Sequence, residues 1–140
     1  MVTKKGQNGT IHTYDYDGLG RLFREFYPDS QNSLDDCVEF GYNRTGEVIT
    51  KRDQNGTIHT YEYDNLGRLL HDTITTLATG VDGLVRRIST WYDVVGNVAS
   101  VTSLDASNNV INQVKYEYGV NGLLVKEYQN ASGAVGSAPQ

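Results

Sequence analysis

The strongest constraint on this chain is an internal duplication. Residues 7–22 read QNGTIHTYDYDGLGRL and residues 54–69 read QNGTIHTYEYDNLGRL, an offset of 47 with differences only at 15/62 and 18/65. A chain that copies itself at this period builds its fold from like units, each burying its apolar surface against the next. A shorter unit lies inside the long one: an aromatic, one residue, a second aromatic, then glycine four positions on. It occurs as Tyr14/Tyr16/Gly20, Phe40/Tyr42/Gly46, Tyr61/Tyr63/Gly67 and Tyr116/Tyr118/Gly122, with Thr90/Tyr92/Gly96 as a partial match. The second aromatics step by 26, 21, 29 and 26 residues, and the first two steps together make the long period. Five units, with motifs near 14–22, 40–48, 61–69, 90–98 and 116–124, therefore fill residues 1–130. The variable spacing belongs to the connections, where insertions are tolerated.

Aromatics at i and i+2 fall on one face of a strand. The residues around them, as in Thr10-Ile11-His12-Thr13-Tyr14 and Val110-Ile111-Asn112-Gln113-Val114, are β-branched and aromatic strand formers. Each such run ends in a short polar stretch with glycine last: Asp17-Gly18-Leu19-Gly20, Asn43-Arg44-Thr45-Gly46, Asp64-Asn65-Leu66-Gly67, Asp93-Val94-Val95-Gly96 and Gly119-Val120-Asn121-Gly122. A leading Asp or Asn caps the turn, and the closing glycine takes the positive φ of a type I turn with a bulge. A second apolar strand follows each turn. The expectation is all-β: five tandem antiparallel hairpins, about ten strands and no helix, paired into one continuous sheet that curls or spirals. Residues 131–140, ASGAVGSAPQ, are expected to be a disordered tail or linker.

Composition narrows the class further. The formal charge is −5, and no basic stripe of the kind nucleic acid requires is present. No apolar run approaches the roughly 18 residues of a membrane span, and Met1–Gly6 lacks the apolar stretch of a signal peptide. A lone Cys37 allows neither an internal disulfide nor a cysteine metal cage.

The motif YDYDGLGRL at 14–22, its copy YEYDNLGRL at 61–69 and the weaker FGYNRTGEV at 40–48 resemble the YD repeats of the Rhs family. That family takes in bacterial Rhs polymorphic toxins, wall-associated proteins, shell subunits of insecticidal toxin complexes, and teneurins. The fourth and fifth units are looser, with Asn97 or Leu123 where the motif has Arg. The resemblance implies a strip of hairpins that spirals into a hollow shell around a toxic domain or an unfolded cargo. It also implies a self-cleaving core marked by Asp-Pro-x-Gly-like motifs, a pattern that neither Pro28 nor Pro139 opens. Complete shells hold many more than five units, so the chain reads as a piece of shell or as a short protein whose copies complete one another.

No chemistry stands out. Asp15, Asp17, Asp35, Asp36, Glu62, Asp64 and Asp93 recur largely with the repeat, as capping and solvent-facing residues do. A glycosidase would need two of them across a cleft. His12 and His59 are repeat-equivalent and could share a metal only if their hairpins were adjacent, whereas the 40–48 hairpin lies between them. The serines lack a Gly-x-Ser-x-Gly setting, and no helix follows a glycine turn to make a phosphate loop. The Asn-x-Ser/Thr sequons at Asn8, Asn43, Asn55 and Asn130 are expected from composition.

The residues of consequence are then structural: the turn glycines Gly20, Gly46, Gly67, Gly96 and Gly122, and a tyrosine ladder of Tyr14, Tyr16, Tyr42, Tyr61, Tyr63, Tyr92, Tyr116 and Tyr118. The expected function is a non-catalytic β-sheet wall, extracellular or on a cell surface, without cofactor or metal. Its partners would be other YD repeats of the same or neighbouring chains, joined head to tail by strand pairing into a shell or a filament. The alternative is a glycan-binding module using the repeated tyrosines and Trp91, a role the resemblance also implies. An enzyme or toxin fragment is the third reading.

Overall fold

The computed structural model describes residues 2–5, 11–27 and 37–136. The expectations that fall on 6–10, 28–36 and 137–140, including Asn8, Pro28, Asp35, Asp36 and Pro139, lie outside the described residues. Eleven strands run in chain order: β1 (Val2–Lys5), β2 (Ile11–Tyr16), β3 (Leu22–Phe26), β4 (Cys37–Tyr42), β5 (Val48–Arg52), β6 (Ile58–Tyr63), β7 (Leu69–Thr76), β8 (Arg87–Tyr92), β9 (Val98–Leu104), β10 (Val110–Tyr118) and β11 (Leu124–Asn130). They form one sheet in which every strand is hydrogen-bonded to its neighbours in sequence. The fold is all-β, and the described residues contain no helix. The eleventh strand is β1, which pairs antiparallel with β2 and carries no aromatic motif by which to find it.

Four of the five motif hairpins show the same closing register. The strand register slips at the second aromatic, between Asp15 and Tyr16, Gly41 and Tyr42, Trp91 and Tyr92, and Glu117 and Tyr118. Two residues of the returning strand thus oppose one aromatic, which is a β-bulge. The glycine closing each turn has positive φ, from +73° at Gly122 to +106° at Gly96, a region closed to most L-residues by their Cβ.

The chain divides into two compact units, residues 1–60 with 74–80, and residues 61–73 with 81–140. In the first unit the in-register row Asp15–Arg24–Glu39–Arg52–Ile58 crosses five strands, with Arg24 paired to Glu39. Beside it Cys37 and Val38 are buried. In the second unit the corresponding row is His71–Ser89–Thr102–Gln113–Asn130. His71 Nδ1 lies 2.9 Å from the Ser89 hydroxyl, and Gln113 Nε2 donates to the Thr102 hydroxyl at 2.8 Å. Ser89, Ser100 and Thr102 are buried, so this face is closed by small polar side chains rather than aliphatic ones. Among the described residues only Cys37 and Val38 are buried apolar side chains. Stability rests on ladders and turns, not on a core.

Candidate functional site

The side chains that repeat from hairpin to hairpin meet at one kind of place, the joint between a motif turn and the following hairpin. It starts with the turn aspartate. Asp17 Oδ1 accepts from the Leu19 and Arg21 amides, each at 2.9 Å, while Oδ2 takes the Arg21 Nε at 2.7 Å. Asp64 repeats this with the amides of Leu66 and Arg68 at 2.9 and 3.0 Å and with Arg68 Nε at 2.7 Å. Because the guanidinium is fixed by its own turn, its outer face is free to meet the next hairpin. Arg21 lies over the Tyr42 ring at 4.5 Å and donates to the Asn43 carbonyl at 3.2 Å; Arg68 lies over the Tyr92 ring at 4.3 Å. A guanidinium over an aromatic face gains from the ring quadrupole, and a rigid fork loses little entropy in doing so.

The same tyrosine completes the joint. The Tyr42 hydroxyl donates to the Leu22 carbonyl at 2.7 Å, Tyr92 to the Leu69 carbonyl at 3.0 Å, and Tyr118 to the Val98 carbonyl at 2.9 Å. Each of these three aromatics thus reaches back one hairpin to the residue just past its turn. The looser units keep the bond and change the turn chemistry. Asn97 replaces Arg and donates through Nδ2 to Asp93 Oδ2 at 2.9 Å. In the second unit of the repeat the polarity is reversed, Asn43 Nδ2 donating to Glu47 Oε2 at 2.6 Å.

These contacts set the turn carboxyls. The Arg21 amide, then its guanidinium and the Leu19 amide, hold Asp17 below the ordinary carboxyl range against partial burial. Asp64 is lowered in the same way by Arg68. Asp93 is lowered chiefly by the Asn97 side chain, and Asp105 chiefly by that of Asn109.

Two turns of this type escaped the sequence reading. Asp53–Thr57 and Asp105–Asn109 close with the same pair of backbone bonds, such as Asp53 N to Thr57 O at 2.9 Å and Asp105 N to Asn109 O at 3.0 Å. They join successive hairpins instead of closing one, so no aromatic pair precedes them. The signal was the spacing alone: Asp53 to Gly56 repeats that of Asp64 to Gly67, and Asp105 to Asn108 repeats it with Asn at φ +64°.

Of the other candidate residues, Tyr14 stacks near His12, and partial burial followed by the Glu25 carboxylate pushes its phenol up. Tyr61, Tyr63 and Tyr116 are half-buried, and Tyr16 is 48% exposed. His12 sits 3.1 Å from Glu25 Oε1, and His59 lies 3.7 Å from Asp53. Strands β3, β4 and β5 separate the strands that carry these two histidines, and no group of three or more metal-ligating side chains occurs among the described residues. Val135 lies against β10, its amide donating to Gln113 Oε1 and its carbonyl accepting from Lys115 Nζ. Among the described residues no helix is long and apolar enough to cross a membrane.

Comparison with known proteins places this geometry. Residues 42–85 match the sequence model of the RHS Repeat family. No curated protein matches the chain. Among solved structures, a chain of the Photorhabdus luminescens Tc holotoxin pore superposes with a TM-score of 0.66 at 17% identity, over 93% of this chain and 8% of that one. A TcdB2-TccC3-TEV structure gives 0.60 at 16% identity over 94% and 8%, and TcdB2-TccC3-Cdc42 gives 0.56 at 17% over 83% and 6%. The chain therefore spans less than a tenth of the solved chains it resembles, and what it shares with them is the fold. With an RHS repeat at residues 42–85 and hairpins of the same design on either side, the resemblance to the Rhs/YD-repeat family holds.

Proposed function

We propose that this chain is a non-catalytic structural segment, a stretch of β-sheet wall in an Rhs-type shell or in an extracellular assembly of such repeats. One observation carries the reading. The recurring polar side chains at Tyr42, Tyr92 and Tyr118 are spent on joining their hairpin to the one before it, by the tyrosine-to-carbonyl bond and, at the first two, the Arg–Tyr stack. An enzyme or a receptor concentrates special residues at one place; this chain repeats them at three separate joints, as a wall does. Among the described residues its outer strands β1 and β11 each have one neighbour, and a strand edge with open backbone groups accepts another strand. Further repeats of the same or neighbouring chains are the natural occupants.

The test is solution mass by light scattering over a concentration series, with negative-stain images of the same fractions. Growth beyond the 15.5 kDa monomer with concentration supports strand addition. A mass that never changes refutes it.

The second reading, glycan binding, is favoured by Trp91, 60% exposed on a face with Ser100 and Lys115 in its row. A flat indole fluorescence through a millimolar polysaccharide titration would remove it.

A further inference from the structure

Three joints of the sheet repeat one arrangement, and the outer strand β11 carries the acceptor half of a fourth. In each joint a tyrosine donates to the carbonyl two residues past a turn glycine: Tyr42 to Leu22 after Gly20, Tyr92 to Leu69 after Gly67, and Tyr118 to Val98 after Gly96. The register is the same in all three. Arg24 faces Glu39, His71 faces Ser89 and Ser100 faces Lys115. The residue two past the acceptor thus always opposes the residue three before the tyrosine. In the last hairpin the turn glycine is Gly122, at φ +73°, which puts Leu124 at the acceptor position and Lys126 two beyond it. Where a joint is complete, the residues just past the turn are half-buried: Arg21 and Leu22, Arg68 and Leu69, Asn97 and Val98. Leu123 and Leu124 are 64% and 51% exposed, and among the described residues no strand follows β11 to cover them.

We infer that the β11 edge docks one kind of strand: an antiparallel segment with a tyrosine and, three residues before it, a carboxylate, the phenol donating to the Leu124 carbonyl. The inference deepens the wall reading and rests on it. Each feature of the occupant answers a residue of the last hairpin. The three complete joints supply the tyrosine. Their register sets it beside Leu123, so its ring packs on an aliphatic side chain where Arg21 and Arg68 serve Tyr42 and Tyr92. Lys126 supplies the demand for an acid. The first unit shows the complete row, Asp15–Arg24–Glu39, in which a cation stands between two acids and Arg24 is ion-paired to Glu39. The last hairpin repeats the first two places of that row as Glu117–Lys126, on the outermost described strand. The Lys126 ammonium lies 3.6 Å from Glu117 and its side chain is 63% exposed, so it can meet a second carboxylate from the open side. Opposite charges facing each other across strands attract, and like charges repel. Main-chain bonds along the edge would hold any strand, and the two side chains select this one.

The experiment titrates the full chain, labelled with nitrogen-15, with short synthetic peptides and follows amide shifts by NMR. The parent peptide copies residues 37–44 with Cys37→Ser, and so carries Glu39 and Tyr42 in the required spacing. Amide signals of 123–130 should move as it binds. The Tyr42→Phe peptide keeps the ring and loses the donor, and should bind more weakly by roughly two- to tenfold. The Glu39→Lys peptide should also bind more weakly than the parent. Against a chain carrying Lys126→Glu the order of these last two, parent and Glu39→Lys, should invert, which a general loss of strand affinity would not produce. A Tyr42→Phe peptide that binds as tightly as the parent, or a charge order that does not invert, overturns the inference. In either case shifts confined to β11 leave strand addition, and with it the wall reading, in place. A parent peptide that moves no signal at millimolar concentration, or moves signals away from β11, also overturns the inference. The light-scattering series then judges the wall reading separately, since growth of the chain with concentration keeps strand addition and a constant mass removes it.

Discussion

Gly20 isolates the conformational part of turn stability. Its φ is +78° and a Cβ built there meets nothing within 4 Å, so any cost of a side chain is backbone strain with no collision added. An L-residue in the left-handed region costs about 1–2 kcal/mol. Alanine also restricts the unfolded chain, which returns about 0.4–1 kcal/mol. The net expectation for Gly20→Ala is a loss of about 1 kcal/mol. Asparagine is the internal control, since Asn108 holds the same turn position at φ +64°. Gly20→Asn should therefore cost less than Gly20→Ala, and Gly20→Val, β-branched, should cost the most. Urea unfolding followed by circular dichroism reads the series. With a slope of about 1–3 kcal/mol per molar, alanine should lower the midpoint by roughly 0.3–1 M. If asparagine proves as costly as valine, or alanine costs nothing, the attribution to positive φ is wrong.

Other outcomes follow from the joints. Tyr92→Phe and Tyr118→Phe each remove one neutral hydrogen bond and should cost about 0.5–1.5 kcal/mol, measured by the same unfolding assay. A double-mutant cycle of Arg68→Met with Tyr92→Leu should give a coupling of about 0.5–1 kcal/mol, whereas Arg68→Met with Tyr118→Leu should give none. Asp17, Asp64, Asp93 and Asp105 are all held below their ordinary value. Folding therefore favours their charged form, and the stability they supply is complete above about pH 4 and fades as pH falls through the depressed folded values. A melting midpoint that rose on acidification below pH 4 would contradict this. Cys37 is fully buried, so its thiol should react with a disulfide reagent at the rate at which the first unit opens, faster in Gly20→Val than in wild type.

Much of the fold was legible because hairpins are local. Tyr61 and Tyr63 at i and i+2, with Gly67 four residues on, specify a strand, a turn and a reversal inside one short window. The same logic failed where the aromatic pair was made the entry condition. It passed over Asp53–Thr57 and Asp105–Asn109, whose turn spacing is identical, and β1, which has only Val2-Thr3-Lys4-Lys5 to declare it. The joints were partly hidden for another reason. That Arg21 would lie over Tyr42, or Arg24 face Glu39, depends on the register between one hairpin and the next. Register is set by connections of variable length, and local sequence does not encode it. The division of the chain into two units left no mark in composition.

The tyrosine-to-carbonyl bond points one way. Tyr42, Tyr92 and Tyr118 each donate to a residue that precedes them by 20 to 23 positions, and never to one that follows. A ribosome releases the acceptor before the donor. As each hairpin leaves the exit tunnel, its template is already in place behind it, with the carbonyl exposed and, in two cases, the arginine held ready by its own aspartate. Assembly can then proceed in the order of synthesis, each step closing a short loop, which is the fast regime for β-structure. A protein made this way can lengthen by whole hairpins without relearning how to fold.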